Sequence, residues 1–316
     1  MKVAAIQMVS GIDRDRNLAA AERLIAEAAA TGARLVLLPE NFPLMGQREE
    51  DKLTIAEADG SGPIQTMLSR AARQHQIWLA AGTYPARGDS ATRVRARLSI
   101  YSPQGMLTAH YDKLHLFDVQ LPDGRESYLE SRGIEPGLAV VTARADEAEL
   151  GCSICYDLRF PELYRQLVTA GATVLLVPAA FTATTGAAHW HTLLRARAIE
   201  NQCFVIAANQ GGSHENGRAT YGHSVIYDPW GECLAEAGTG EAVITAELDF
   251  ASQRELRQRF PVLAHQRIAV QAAPSAVIPD ASVSAKTAST KTAAASPNTG
   301  AMPASPTHSA PSGDRS

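Results

Sequence analysis

The 316-residue sequence holds only four cysteines, at positions 152, 155, 203 and 233. They lie in apolar surroundings without the spacing of a disulfide framework, so a reducing, cytoplasmic setting is the simplest expectation. Aromatic residues make up only 6% of the chain, and 29 basic side chains set against 33 acidic ones leave a net charge of −4. That balance argues against a nucleic-acid footprint. No run of like charge is long enough for a binding tail. No apolar stretch reaches membrane-spanning length, and Met1 to Val9 reads as a first strand rather than a signal peptide. What is present is a hydrophobic fraction of 45%, enough for a sizeable core.

Apolar runs of strand length alternate with helical patterns. Strands are expected at 3–9, 34–39, 77–84, 98–101, 106–110, 139–142, 149–155, 173–177, 203–208, 224–227 and 242–248. Ser102-Pro103-Gln104-Gly105 marks a hairpin turn, and Pro178 to Thr182 reads as a turn. Helices are expected at 17–30, 63–74, 161–170 and 189–202. Pro63 sits at a first helical turn, and Gly32 and Gly171 stand just past helix ends. Fully apolar strands such as Arg34 to Pro39 suit a sheet covered on both faces, so a layered α/β domain follows. Residues 1–272 form that domain. Beyond them, 273–316 is an Ala/Ser/Thr/Pro-rich tail that cannot bury enough apolar area to offset its ordering entropy, and is expected to be disordered.

Three segments end apolar runs in reactive groups. Leu35-Val36-Leu37-Leu38-Pro39 leads to Glu40, Tyr111-Asp112 leads to Lys113, and Leu150-Gly151-Cys152-Ser153-Ile154 leads to Cys155. Ligands of open α/β sheets bind beyond the carboxyl ends of strands, so the three groups can share one pocket. A lone cysteine is more often a buried structural thiol. Cys152 and Cys155 also form a Cys-x-x-Cys pair, which opens a redox or zinc reading. Against it, residues three apart on a strand point to opposite faces, and a zinc site needs four ligands. Cys203 and Cys233 are isolated, and His189 and His191 leave a helix on different sides. A nucleophilic thiol instead needs a base and an oxyanion partner. A carboxylate buried near it is expected to have a raised pKa and act as base, and an ammonium beside it to favour the thiolate.

Leu37-Leu38-Pro39-Glu40-Asn41, Tyr111 to Asp118 and Gly151 to Glu162 together resemble the three signatures of the nitrilase, or carbon–nitrogen hydrolase, superfamily, in order and separation. The resemblance runs from Met1 to about Arg267. It implies an αββα sandwich of two mixed sheets covered by outer helices, with no cofactor and no metal. It implies Glu40 as general base, Lys113 as oxyanion stabiliser and Cys155 as the nucleophile of a thioester acyl-enzyme, with the Tyr156 N–H completing the oxyanion hole. The family's second active-site glutamate falls on Glu130 or Glu126. Glu130 fits the spacing to Gly137 better. Ala180 to Trp190, Arg195 to Gln202, Tyr221 to Ser224 and Asp228 to Gly231 look like the amide-hydrolysing Nit branch, with Ala187 standing where proline is common. Within it, Arg195–Gln202 and Ala207–Gly212 resemble members acting on deaminated glutathione more than ω-amidases acting on 2-oxoglutaramate or 2-oxosuccinamate.

Either substrate carries carboxylates and a 2-oxo group, so a cation and hydroxyl donors should face the pocket. Arg159 is the expected cation unless Glu162 or Asp157 pairs with it. Thr185 and Tyr156 are the expected hydroxyl donors, with Phe181 beside them. Trp190, Leu193, Leu194 and Ala198 stand at helical spacing and read as core or subunit contact. The resemblance further implies a homodimer through this helix and the one after Cys155. A catalytically inactive binding module is the alternative from another class.

Overall fold

The computed structural model describes residues 1–120 and 127–268. The expected tail at 273–316 and Glu126 lie outside the described residues. Among the described residues five α-helices cap the fold: α1 (Arg14–Ala30), α2 (Pro63–His75), α3 (Pro161–Thr169), α4 (Ala183–Asn201) and α5 (Phe250–Arg259).

The first sheet has eight strands. Lys2–Gln7 pairs antiparallel with Ala242–Glu247 and parallel with Leu35–Leu37, which continues parallel to Trp78–Ala80. Val94–Tyr101 then pairs antiparallel with Trp78–Ala80, Tyr84–Arg87 and Leu107–Asp112. The second sheet has six strands, with Ala148–Cys152, Val174–Ala179 and Phe204–Asn209 parallel at its centre.

Strand periodicity assigns the faces. Val3, Ala5, Leu35 and Leu37 join one core with Leu150, Val174 and Ile206 of the other sheet. Ala4, Ile6, Val36 and Leu38 pack instead on Leu24 and Ile25 of α1 and Ile64 and Leu68 of α2. Trp190 and Leu194 of α4 and Leu163 of α3 join the core on the far side of the second sheet. Each central strand thus presents apolar side chains to both neighbouring layers, which is why these runs read as continuously apolar. The result is a helix–sheet–sheet–helix sandwich.

The departures from expectation have local causes. The run at 77–84 is two strands, not one. Gly82 breaks it at φ +56°, where a Cβ would stand 2.1 Å from the Pro39 carbonyl oxygen. The strand expected at 139–142 lies at Thr142–Ala145. Pro178 and Ala179 belong to a strand, not a turn. Helix α4 begins six residues before His189, because the Thr182 side chain accepts from the Thr185 N–H and caps it. Helix α5 was not expected from the pattern: it buries only Phe250 and Gln253, so it carries no apolar stripe.

Candidate active site

The strand expected to reach Cys155 stops at Cys152. Cys155 instead opens a 3-10 turn, Cys155–Arg159, at φ +45°. A left-handed backbone at a residue other than glycine is strained and persists only where its surroundings impose it. Asp157, fully buried, imposes it here. Its Oδ2 accepts from the Ile154 N–H (2.9 Å) and the Tyr111 hydroxyl (2.7 Å). Its Oδ1 accepts from the His115 N–H (3.1 Å) and lies 2.7 Å from His115 Nδ1. One carboxylate therefore ties the Cys155 turn of the second sheet to the Lys113 segment of the first.

Lys113 is 1% exposed and Glu40 is 3% exposed. Lys113 Nζ donates to Glu40 Oε1 at 2.8 Å and to both oxygens of Glu130 at 2.9 Å. Glu130 also accepts from the Phe117 N–H at 2.6 Å. The other Glu40 oxygen accepts from the Ala180 N–H at 2.8 Å, and Gln210 Nε2 donates to the Glu40 carbonyl at 3.1 Å. The Cys155 thiol lies against the Glu40 carboxyl and the Ala180 N–H.

One electrostatic expectation is overturned and another is outweighed. Burial alone would push the Glu40 carboxyl up, but the Lys113 ammonium overrides it and holds Glu40 below the ordinary carboxylate value. Burial and then the Glu40 charge push the Cys155 thiol well above its ordinary value, more than Lys113 lowers it. Lys113, which burial alone would neutralise, is held charged by Glu130 and Glu40. The resting site is therefore a thiol, an ammonium and carboxylate, not a thiolate. Lys113 serves two carboxylates at once, an arrangement that single neighbours in the sequence do not display.

Cys152 is buried in the core, with its thiol pushed up to about 12 by desolvation. It has no place in the pocket lining, which runs around Cys155.

One narrow pocket opens around Cys155. Glu40, Lys113, Glu130 and Cys155 line it, and so do Tyr156, Arg159, Phe181 and Thr185. Among the described residues no ion pair holds Arg159. Asp157 is engaged elsewhere, and the Arg159 guanidinium lies 5.1 Å from the Phe181 ring centroid with Nη1 3.3 Å from His189 Nδ1. Thr185 shares a 2.8 Å hydrogen bond with the Thr182 hydroxyl. The sequence reading passed over Lys52, paired at 2.6 Å with Glu49, and Arg218, stacked 5.1 Å from the Tyr128 ring centroid. Both line the pocket, and Arg218 Nε is buried without a hydrogen-bond partner. Neither follows an apolar run as Glu40 and Cys155 do, so no local pattern marked them.

The Carbon-nitrogen hydrolase family model matches residues 2–258. The chain belongs to this family and is an amide-hydrolysing enzyme. Among its relatives is the deaminated glutathione amidase of Synechocystis sp., 44% identical over 83% of this chain and 97% of that protein. The Homo sapiens deaminated glutathione amidase is 38% identical over 84% of this chain and 82% of its own. A solved Saccharomyces cerevisiae member of branch 10 of the nitrilase superfamily superposes with a TM-score of 0.75 at 32% identity, covering 83% of this chain and 94% of that one.

Proposed function

We propose that this chain hydrolyses deaminated glutathione to 2-oxoglutarate and cysteinylglycine, with Cys155 as nucleophile. The observation that carries this reading is the Lys113 ammonium shared by Glu40 and Glu130 beside the Cys155 thiol, at the base of a pocket whose walls carry Arg159 and Arg218. The two guanidinium groups suit a substrate with a carboxylate at each end.

The steps follow from the resting charges. Cys155 Sγ attacks the amide carbonyl carbon as its proton passes to Glu40. Because the thiol is a weak acid and Glu40 a weak base here, proton transfer is driven by bond formation rather than preceding it. The carbonyl oxygen becomes an oxyanion held by the Lys113 ammonium and the Tyr156 N–H. Glu40 returns the proton to the leaving nitrogen, the C–N bond breaks, and the amine departs. Glu40 then takes a proton from water, whose oxygen attacks the thioester. The C–S bond breaks and Cys155 is reprotonated. Glu130 holds Lys113 in place.

The test compares kcat/KM for deaminated glutathione and 2-oxoglutaramate. Preference for deaminated glutathione is expected. Preference for 2-oxoglutaramate would make the chain an ω-amidase instead, and turnover of neither would place its substrate among other amides. We further infer a homodimer formed through α3 and α4, as expected from the sequence. Among the described residues, no helix is long and apolar enough to cross a membrane.

A further inference from the structure

A second constellation lies outside the pocket. His191 on α4, His223 between the strands Ala219–Tyr221 and Val225–Tyr227, and Glu236 at the end of Cys233–Glu236 converge on one point. One donor atom from each lies within 4.8 Å of the other two. His223 Nδ1 is 2.9 Å from Glu236 Oε1, and His191 Nε2 is 3.6 Å from the same oxygen. None of the three lines the active-site pocket.

We propose that His191, His223 and Glu236 form a binding site for a divalent first-row metal ion of the zinc class. Imidazole and carboxylate donors suit such ions. A tetrahedral ion with ligands at about 2.0–2.1 Å has ligand–ligand edges of about 3.3 Å. The two measured separations fall either side of that edge, and the two imidazole nitrogens lie within 4.8 Å of each other, so side-chain shifts on the order of 1 Å would seat the ion. Two histidines and one glutamate supply three positions and leave a fourth for water.

The surroundings orient the ligands. His191 Nδ1 lies 3.1 Å from the Tyr227 hydroxyl, an arrangement that leaves the Nε2 lone pair for the ion. The His223 ring stacks on Tyr221 at 4.5 Å between centroids. Its backbone is left-handed, at φ +53°, and its carbonyl accepts from the buried Trp190 indole at 2.7 Å. Trp190 holds that carbonyl while Tyr221 holds the ring, so His223 has little freedom to turn away. The three side chains remain accessible, at 34%, 28% and 40% exposure.

A bound ion would join one helix to two segments of the second sheet. Thr185, in the first turn of α4, lines the pocket. The site would therefore brace the helix that forms one active-site wall, without contributing to the chemistry.

The test uses the full-length chain carrying Cys155→Ala, so that the pocket thiol binds no metal. After chelator treatment, zinc chloride is titrated by calorimetry. One equivalent should bind saturably, with affinity falling at least tenfold in His191→Asn and again in Glu236→Gln made on the same background. Cys233→Ser should leave the affinity unchanged. Thermal unfolding should shift upward with zinc in the parent but not in the two ligand variants. Anomalous diffraction at the zinc edge should place the ion between the three side chains. Absence of saturable binding, affinity within twofold of the parent in both ligand variants, dependence on Cys233, or an anomalous peak elsewhere would overturn the proposal. Circular dichroism of each variant checks that its fold is intact.

Discussion

Asp157→Asn tests how the thiol and the ammonium are held in register. The aspartate accepts four contacts through two oxygens, and asparagine keeps only one of those oxygens. Whichever way the amide turns, its NH2 faces a backbone donor, either Ile154 N–H or His115 N–H. The Tyr111 hydroxyl and the His115 ring can each reverse their roles, but a peptide N–H cannot. Losing a buried hydrogen bond to a charged acceptor costs about 1.5–3 kcal/mol. At roughly 2–4 °C per kcal/mol for a domain of this size, melting should fall by about 3–12 °C. The Cys155 turn should also drift relative to Lys113, and displacement on the order of 1 Å can cost about a hundredfold in rate. The assays are differential scanning fluorimetry and kcat/KM on the amide substrate. Tyr111→Phe, which removes one partner and leaves the carboxylate, should show a smaller loss in both. If Asp157→Asn kept kcat/KM within about twofold and melting within about 1 °C, the carboxylate would not be the clamp described here.

Two other outcomes are expected. Cys155→Ala should abolish amide turnover while the protein stays folded, whereas Cys152→Ala should keep most of it; equal losses would return weight to a redox pair. The acid side of the stability profile should reflect Glu40. Its folded pKa is depressed, so its contribution is present above its ordinary value of 4.5 and is lost as pH falls through the lower folded value. Wild type should therefore lose more stability than Glu40→Gln between about pH 5 and pH 3, as read by urea denaturation at each pH. Parallel profiles would contradict the pairing with Lys113.

Much of the candidate site was legible because its groups follow apolar runs that stop abruptly. Glu40, Lys113 and Cys155 each stand where a strand or its continuation meets the pocket, and the order of the three segments carried the family resemblance. The spacing to Gly137 favoured Glu130, and the Lys113 ammonium does lie on that carboxylate. The contributions of Asp157, Lys52 and Arg218 were not legible. Asp157 acts across a distance in sequence that only the packing of the two sheets closes, as with Tyr111, while Lys52 and Arg218 come from segments whose local pattern says nothing of the pocket. His191 likewise meets Glu236 across 45 residues, through the seating of α4 on the second sheet. The charge states failed for a related reason: a pKa depends on all neighbours at once, and the sequence displayed them singly. Helix α5 escaped because its face toward the protein is too small to leave a periodic mark.

The two acceptor oxygens of Glu40 face opposite halves of the sandwich. One receives the ammonium of Lys113, which follows a strand of the first sheet; the other receives the Ala180 N–H, which follows a strand of the second. The reactive groups are thus aligned by the seating of one sheet on the other, as two halves of a mould are aligned by their shared face. Leu37 and Leu176, which stand on the facing sides of the two sheets, govern the alignment as directly as any pocket residue. A variant that shifted the sheets without unfolding them would look, in a kinetic assay, like an active-site variant, although the altered side chain touched no substrate.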